Sequence, residues 1–185
     1  MSVNKAIAIG TSAGGINALG LLLPLIPENF KIPVFIVQHI SPYAEMNLRI
    51  FTQKCHVKLK EASNNETIEP GVVYFAPPDY HLLIEEDFTL TLNADPKVNF
   101  SRPSIDVLFQ TAAEAYRRNL TGILLTGTNN DGSEGLKTIK QFGGKTIVQN
   151  PAEAEFPEMP QSALKLFDPD MILNLKEIGE LVGRL

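Results

Sequence analysis

Apolar residues in this chain come in short blocks that alternate between strand and helix spacing. Ala6–Ile9 is a continuous apolar run of strand length, and Leu19, Leu22, Leu23 and Ile26 after it recur at helical spacing. Pro33 introduces a second run, Val34–Val37, which stops at Gln38-His39-Ile40-Ser41-Pro42. A helix over Ala44–Phe51 and a short strand near Val57–Leu59 follow. The middle changes character. Val72–Ala76, Leu82–Ile84 and Thr89–Leu92 are short strand candidates divided by polar breaks, which predicts an antiparallel insertion or edge with Glu85-Glu86-Asp87 as a solvated acidic turn. Regular alternation resumes at Pro103, where Ile105, Leu108, Phe109, Ala112 and Tyr116 share one helical face ending near Asn119. A strand over Leu120–Leu125 breaks into Thr126-Gly127-Thr128-Asn129-Asn130-Asp131-Gly132, followed by a helix with Leu136, Ile139 and Phe142 that Gly143-Gly144 closes. Thr146–Val148 is the next strand, and Pro151–Pro160 reads as an irregular loop. Asn174 with Glu177 caps a last helix bearing Leu175, Ile178, Leu181 and Val182.

Strands alternating with helices predict an α/β fold: a doubly wound, mainly parallel sheet with helices on both faces and an antiparallel hairpin insertion. At 185 residues the expectation is a single domain over 1–185. A net charge of −5 argues against general nucleic-acid binding. No apolar run is long enough to span a bilayer, and Met1–Lys5 leads straight into strand chemistry rather than a signal peptide. One cysteine, Cys55, permits no internal disulfide, which suits the cytoplasm.

Ligands in open α/β sheets bind outside the carboxyl ends of the strands. Three reactive side chains follow three such ends here: Ser12, His39 and Asp131. Each alone is ordinary, as a helix cap, a structural hydrogen-bonder and a turn residue. Together they are the set that hydrolysis needs: a hydroxyl nucleophile, an imidazole to carry its proton, and a carboxylate to orient the imidazole. Gly10-x-Ser12-x-Gly14 fits the strand–turn–helix nucleophile elbow. Competing sites are weaker. Dinucleotide binding wants a glycine where Ser12 stands, no lysine follows Gly14-Gly15 as a P-loop requires, and His39, His56 and His81 lack metal-ligand spacing. His56 and His81 read as structural or rim residues. The elbow with Asp131-Gly132 also resembles patatin-like lipases, but too few residues precede the first strand for their oxyanion segment.

Several motifs in order resemble the catalytic domain of the chemotaxis protein-glutamate methylesterases. They are Ile9-Gly10-Thr11-Ser12-Ala13-Gly14-Gly15, Val37-Gln38-His39, Gly71–Pro77, Arg102–Phe109 and Leu125–Gly132, with Phe156 and Met159–Ala163 similar to the loop beside that family's site. The resemblance implies a Ser12–His39–Asp131 triad with no cofactor and no metal. It implies γ-glutamyl methyl esters on the cytoplasmic helical bundle of chemoreceptors as substrate, with glutamine deamidation as a related activity. Ala13, Gly14, Gly127, Thr128, Phe156 and Met159 are then candidates for the oxyanion hole and substrate rim. Two positions depart from the family: Ala13 replaces a common threonine and Thr128 a common methionine. The usual amino-terminal receiver domain is expected to be missing, since the chain starts at the catalytic strand, which leaves regulation to another domain or to a protein in trans. A non-catalytic binding module on the same scaffold and a patatin-like or small-ester hydrolase are the alternatives.

Overall fold

The structure is a computed structural model that describes residues 5–40 and 47–185. In chain order, β1 (Ala6–Thr11) leads into α1 (Gly15–Leu22), then β2 (Val34–Gln38), α2 (Arg49–Thr52) and β3 (Lys58–Glu61). The short β4 (Glu66–Thr67), β5 (Val72–Phe75), β6 (His81–Ile84) and β7 (Thr89–Asn93) follow. The second half alternates: α3 (Ile105–Tyr116), β8 (Leu120–Leu124), α4 (Ser133–Gln141), β9 (Lys145–Gln149), α5 (Glu158–Leu166), β10 (Met171–Leu173) and α6 (Leu175–Val182).

Seven strands form one sheet in the order β10-β9-β8-β1-β2-β5-β3, with every neighbouring pair parallel. Pairing alternates residues between its faces. Ile7 and Ile9 point into one core with Leu19, Leu22, Ile178 and Val182 of α1 and α6. Ala6 and Ala8 point into the other with Leu108, Ala112, Leu136, Ile139 and Ala163 of α3, α4 and α5. Both faces of β1 are therefore dry, which is why it reads as an unbroken apolar run rather than an alternating one.

Chain order reverses at β1, whose neighbours are β2 on one side and β8 on the other. Thr11 lies opposite Gln38 and Gly10 opposite Leu124, so the three strands end level and the loops after them meet. This is the switch-point crevice of doubly wound sheets. A Cβ on Gly10 would collide with Ile105, so glycine lets the start of α3 reach the end of β1. Among the described residues no helix is long and apolar enough to cross a membrane.

The antiparallel element exists as a three-stranded sheet, β4-β7-β6, with Glu86 and Asp87 exposed at the β6–β7 turn. Val72–Ala76 does not belong to it. Val72–Phe75 forms β5, parallel to β2 and β3 in the main sheet, and its four residues are buried. The helix expected over Ala44–Phe51 falls partly on 41–46, outside the described residues, and α2 begins at Arg49. The Pro151–Pro160 loop is shorter than expected because α5 starts at Glu158. Pro160 occupies its first turn, where an N–H has no intrahelical partner in any case. The three-residue edge strand β10 carries too little pattern to be read.

Candidate active site

The loop after β1 turns at Ser12. Its N–H donates to Thr126 O at 3.0 Å, and its carbonyl accepts from Gly15 N–H at 2.9 Å. Gly14 caps α1 with φ 77°, a left-handed conformation that glycine adopts without strain. Gln38, the last residue of β2, clamps this turn to its neighbour. Its Nε2 donates to Ser12 O at 2.8 Å and to His39 O at 2.9 Å, while His39 N–H donates to Thr11 O at 3.0 Å. Ser12 and His39 consequently share the wall of one open cavity of about 300 Å³, with Ala13, Gly14 and Glu155.

His39 meets Asp131 directly, Nε2 to Oδ2 at 2.8 Å, with the ring 12% exposed and the carboxylate fully buried. An ionised carboxylate can only accept, so Nε2 carries the proton and the lone pair of the ring resides on Nδ1. The Asn129 amide lies 3.4 Å from that Nδ1 and its Oδ1 accepts from Asp131 N–H at 3.1 Å. Burial alone would raise the Asp131 pKa. The hydrogen bond and charge of His39 and the N–H groups of Ile105 and Asp106 outweigh it and hold the carboxyl below its ordinary range.

Asp131 sits on the amino end of α3. Oδ2 accepts from Ile105 N–H at 2.7 Å, and Oδ1 from Asp106 N–H at 3.1 Å and from the Ser104 hydroxyl at 2.8 Å. Three donors and the positive end of a helix hold the charge where water does not reach. Asp106 returns the arrangement, its Oδ1 accepting from Gly135 N–H at 2.6 Å in the first turn of α4. Each carboxylate thus caps the helix that begins beside the other. Burial pushes the Asp106 carboxyl up to about 6, with Gly135 N–H opposing and the Asp131 charge adding.

The proposed rim and oxyanion residues separate on inspection. Gly127 N–H is taken by Phe156 O at 3.0 Å and its carbonyl by Met159 N–H at 2.9 Å. Ser12 N–H is likewise engaged. Ala13, Gly14 and Thr128 N–H have no partner among the described residues, and Thr128 is exposed at the crevice. Phe156 contributes its backbone, which Thr126 Oγ1 also engages at 2.9 Å from Phe156 N. Met159 is a correction. It is fully buried beneath Gly127 rather than on the rim, because Gly127 has no side chain to hold it off. His81 is buried and structural, its Nδ1 accepting from Ser104 N–H at 3.1 Å, and His56 is exposed. Gln38, Ser104 and Asp106 stand inside the quoted motifs without a role that sequence assigns them, and Asn99 lies outside those motifs. Only Ser104 carried a local signal, a cap residue directly before a periodic apolar run.

These features define the class: a doubly wound α/β domain with a serine and a histidine–carboxylate pair at its switch point. The chain belongs to the CheB methylesterase family, whose model matches residues 7–182. It is 51% identical to a Leptospira interrogans relative provisionally named protein-glutamate methylesterase/protein-glutamine glutaminase, over 98% of this chain and 94% of the relative. A Maricaulis maris protein-glutamate methylesterase/protein-glutamine glutaminase is 36% identical over 97% of this chain but only 46% of its own length. The crystal structure of the Thermotoga maritima CheB methylesterase catalytic domain superposes with a TM-score of 0.93 at 31% identity, covering 98% of both chains.

Proposed function

We propose that this chain is a serine esterase that removes methyl groups from glutamate γ-methyl esters on the cytoplasmic helical bundle of chemoreceptors, and that it also deamidates receptor glutamines. The observation that carries the reading is that His39, on the cavity wall it shares with Ser12, is held from behind by the buried Asp131 at 2.8 Å. Ser12 attacks the ester carbonyl and His39 Nδ1 takes its proton. The imidazolium, held by Asp131, returns that proton to the departing methanol. Water activated at the same nitrogen then hydrolyses the acyl-serine and frees the glutamate. Ala13 and Thr128 N–H are the oxyanion donors in this scheme, the first directly after the nucleophile; one such donor is typically worth ~3 kcal/mol of transition-state stabilisation. As backbone donors they survive the replacement of the family's side chains at both positions.

The shape of the site supports a polypeptide substrate. The cavity is open, and Phe100, 97% exposed, borders the neighbouring hollow that His39 also lines. The reading places the protein in the cytoplasm, with its regulatory input from another domain or in trans. Its test is methanol release from radiomethylated receptor cytoplasmic domains. Ser12→Ala is expected to abolish release while the fold is kept, and a serine-directed fluorophosphonate is expected to label Ser12. Retained turnover in Ser12→Ala removes the proposal, and absence of labelling at neutral pH favours a binding module. Activity confined to long-chain emulsified esters favours a lipase-like enzyme.

A further inference from the structure

The segment between β7 and α3 borders the hollow that His39 lines and is pinned along its length. Arg102 Nη1 donates to Ala94 O at 2.8 Å and Asp95 O at 3.0 Å, and its Nη2 reaches Asp79 Oδ1 at 2.7 Å. Val98 and Ser101 exchange both backbone hydrogen bonds, at 3.1 and 2.9 Å, around a two-residue turn. Asn99 (φ 49°) and Phe100 (φ 63°) are both left-handed, the geometry of a type I′ turn, which asparagine tolerates better than most residues. The turn aims the Asn99 amide inward. Its Nδ2 lies 2.7 Å from Asp106 Oδ2 and 3.4 Å from Asp131 Oδ1.

An amide nitrogen carries two hydrogens, and here two buried carboxylates lie within reach of it. We propose that Asn99 is a positioning residue for the reaction, bridging Asp131 to Asp106 so that Oδ2 of Asp131 stays committed to His39. The inference rests on the esterase reading for its kinetic consequence only. Without the bridge, Asp106 Oδ2 loses the Asn99 donor, and two like charges face each other inside the protein with no donor between them. The carboxylate of Asp131 then has reason to rotate away from the imidazole.

Two variants preserve the turn and remove the donor. Asn99→Gly keeps the left-handed conformation. Asn99→Asp keeps the shape and adds a third carboxylate. With the methylated receptor domain as substrate, Asn99→Gly is expected to lower kcat by on the order of ten-fold, the usual value of a hydrogen bond to a charged group, with KM within two-fold. Asn99→Asp is expected to lower it further. Independently of activity, the His39 Nε2-bound proton, followed by NMR in protein with labelled imidazole nitrogens, is expected to leave its low-field wild-type position in both variants. A merely structural loop residue would lower the melting temperature without moving that signal. Wild-type kcat and an unmoved imidazole signal in Asn99→Asp overturn the proposal. Wild-type protein that releases no methanol, but whose imidazole signal still responds to Asn99→Asp, instead defeats the substrate assignment and leaves the bridge standing.

Discussion

Gly127 occupies a position with no room for a side chain. A Cβ there would lie 2.8 Å from Met159 Sδ and 3.0 Å from Ser12 Cβ, so an alanine must push one of them aside. Met159 is fully packed, so the end of its side chain cannot shift without disturbing its neighbours, and Ser12 Cβ is the next atom in the way. Gly127→Ala is expected to destabilise the fold by about 1–3 kcal/mol, as overpacking does, and to lower ester hydrolysis by roughly 100-fold, the usual effect of a misplacement near 1 Å. Thermal unfolding and methanol release measured together check it; wild-type hydrolysis would show that the nucleophile is not held against this glycine. At this scale the sequence is eloquent about groups that follow strands and silent about groups that touch them. Ser12, His39 and Asp131 can be placed because strand ends of a parallel sheet lie on one edge. Gln38 and Asn99 reach the site through contacts set by the tertiary fold, 26 residues from Ser12 for the one and 32 from Asp131 for the other, and no local pattern encodes such a reach.

The amino ends of α3 and α4 are joined by an exchange of carboxylates, and Ser104 takes part twice in the half at α3. Its hydroxyl lies 3.5 Å from Val107 N–H as the cap of α3 and donates to Asp131 Oδ1 at 2.8 Å. Ser104→Ala therefore loses a helix cap and one of Asp131's donors together. The expected cost is about 1–2 kcal/mol of stability, together with a fall in kcat. Asn174, at the start of α6, offers the control. Glu177 accepts from its N–H at 2.8 Å, and the Asn174 side chain accepts from Asn150 Nδ2 at 3.0 Å rather than meeting Ser12, His39 or Asp131. Asn174→Ala is expected to cost about 1 kcal/mol with methanol release unchanged. Equal losses of activity in the two variants would reduce Ser104 to a stability element. The elements themselves were legible wherever a long apolar run or a helical stripe was present, as in β1, β2, α3 and α4. Among the short runs, Leu82–Ile84 and Thr89–Leu92 form the antiparallel strands expected of them, and Val72–Ala76 is the one whose sheet differs. Val72–Phe75 has strand character in either sheet, and only its burial on both faces, a property of its neighbours, assigns it to the parallel one.

Across the whole molecule, the two carboxylates make stability depend on pH in opposite senses. Asp131 is held below the ordinary carboxyl value, so its contribution is present above that value and is lost as the pH falls through its native pKa. Asp106 is raised from 3.8 to about 6, so between those values the native state binds more protons than the unfolded chain. Stability must then fall as the pH rises across that window, by up to about 3 kcal/mol at 1.36 kcal/mol per unit. The cause is geometric, since the sheet's switch point brings the ends of two helices together and each end needs an acceptor. Asp106→Asn keeps an oxygen for Gly135 N–H and removes the charge. Urea unfolding of both proteins at pH 4 and pH 7 is the test. Wild-type stability relative to Asp106→Asn is expected to decline between the two, the variant gaining on the order of 1–3 kcal/mol by pH 7. A difference that stays constant with pH would mean that Asp106 is ionised throughout, and that Asn99 and the end of α4 meet the whole cost of burying its charge.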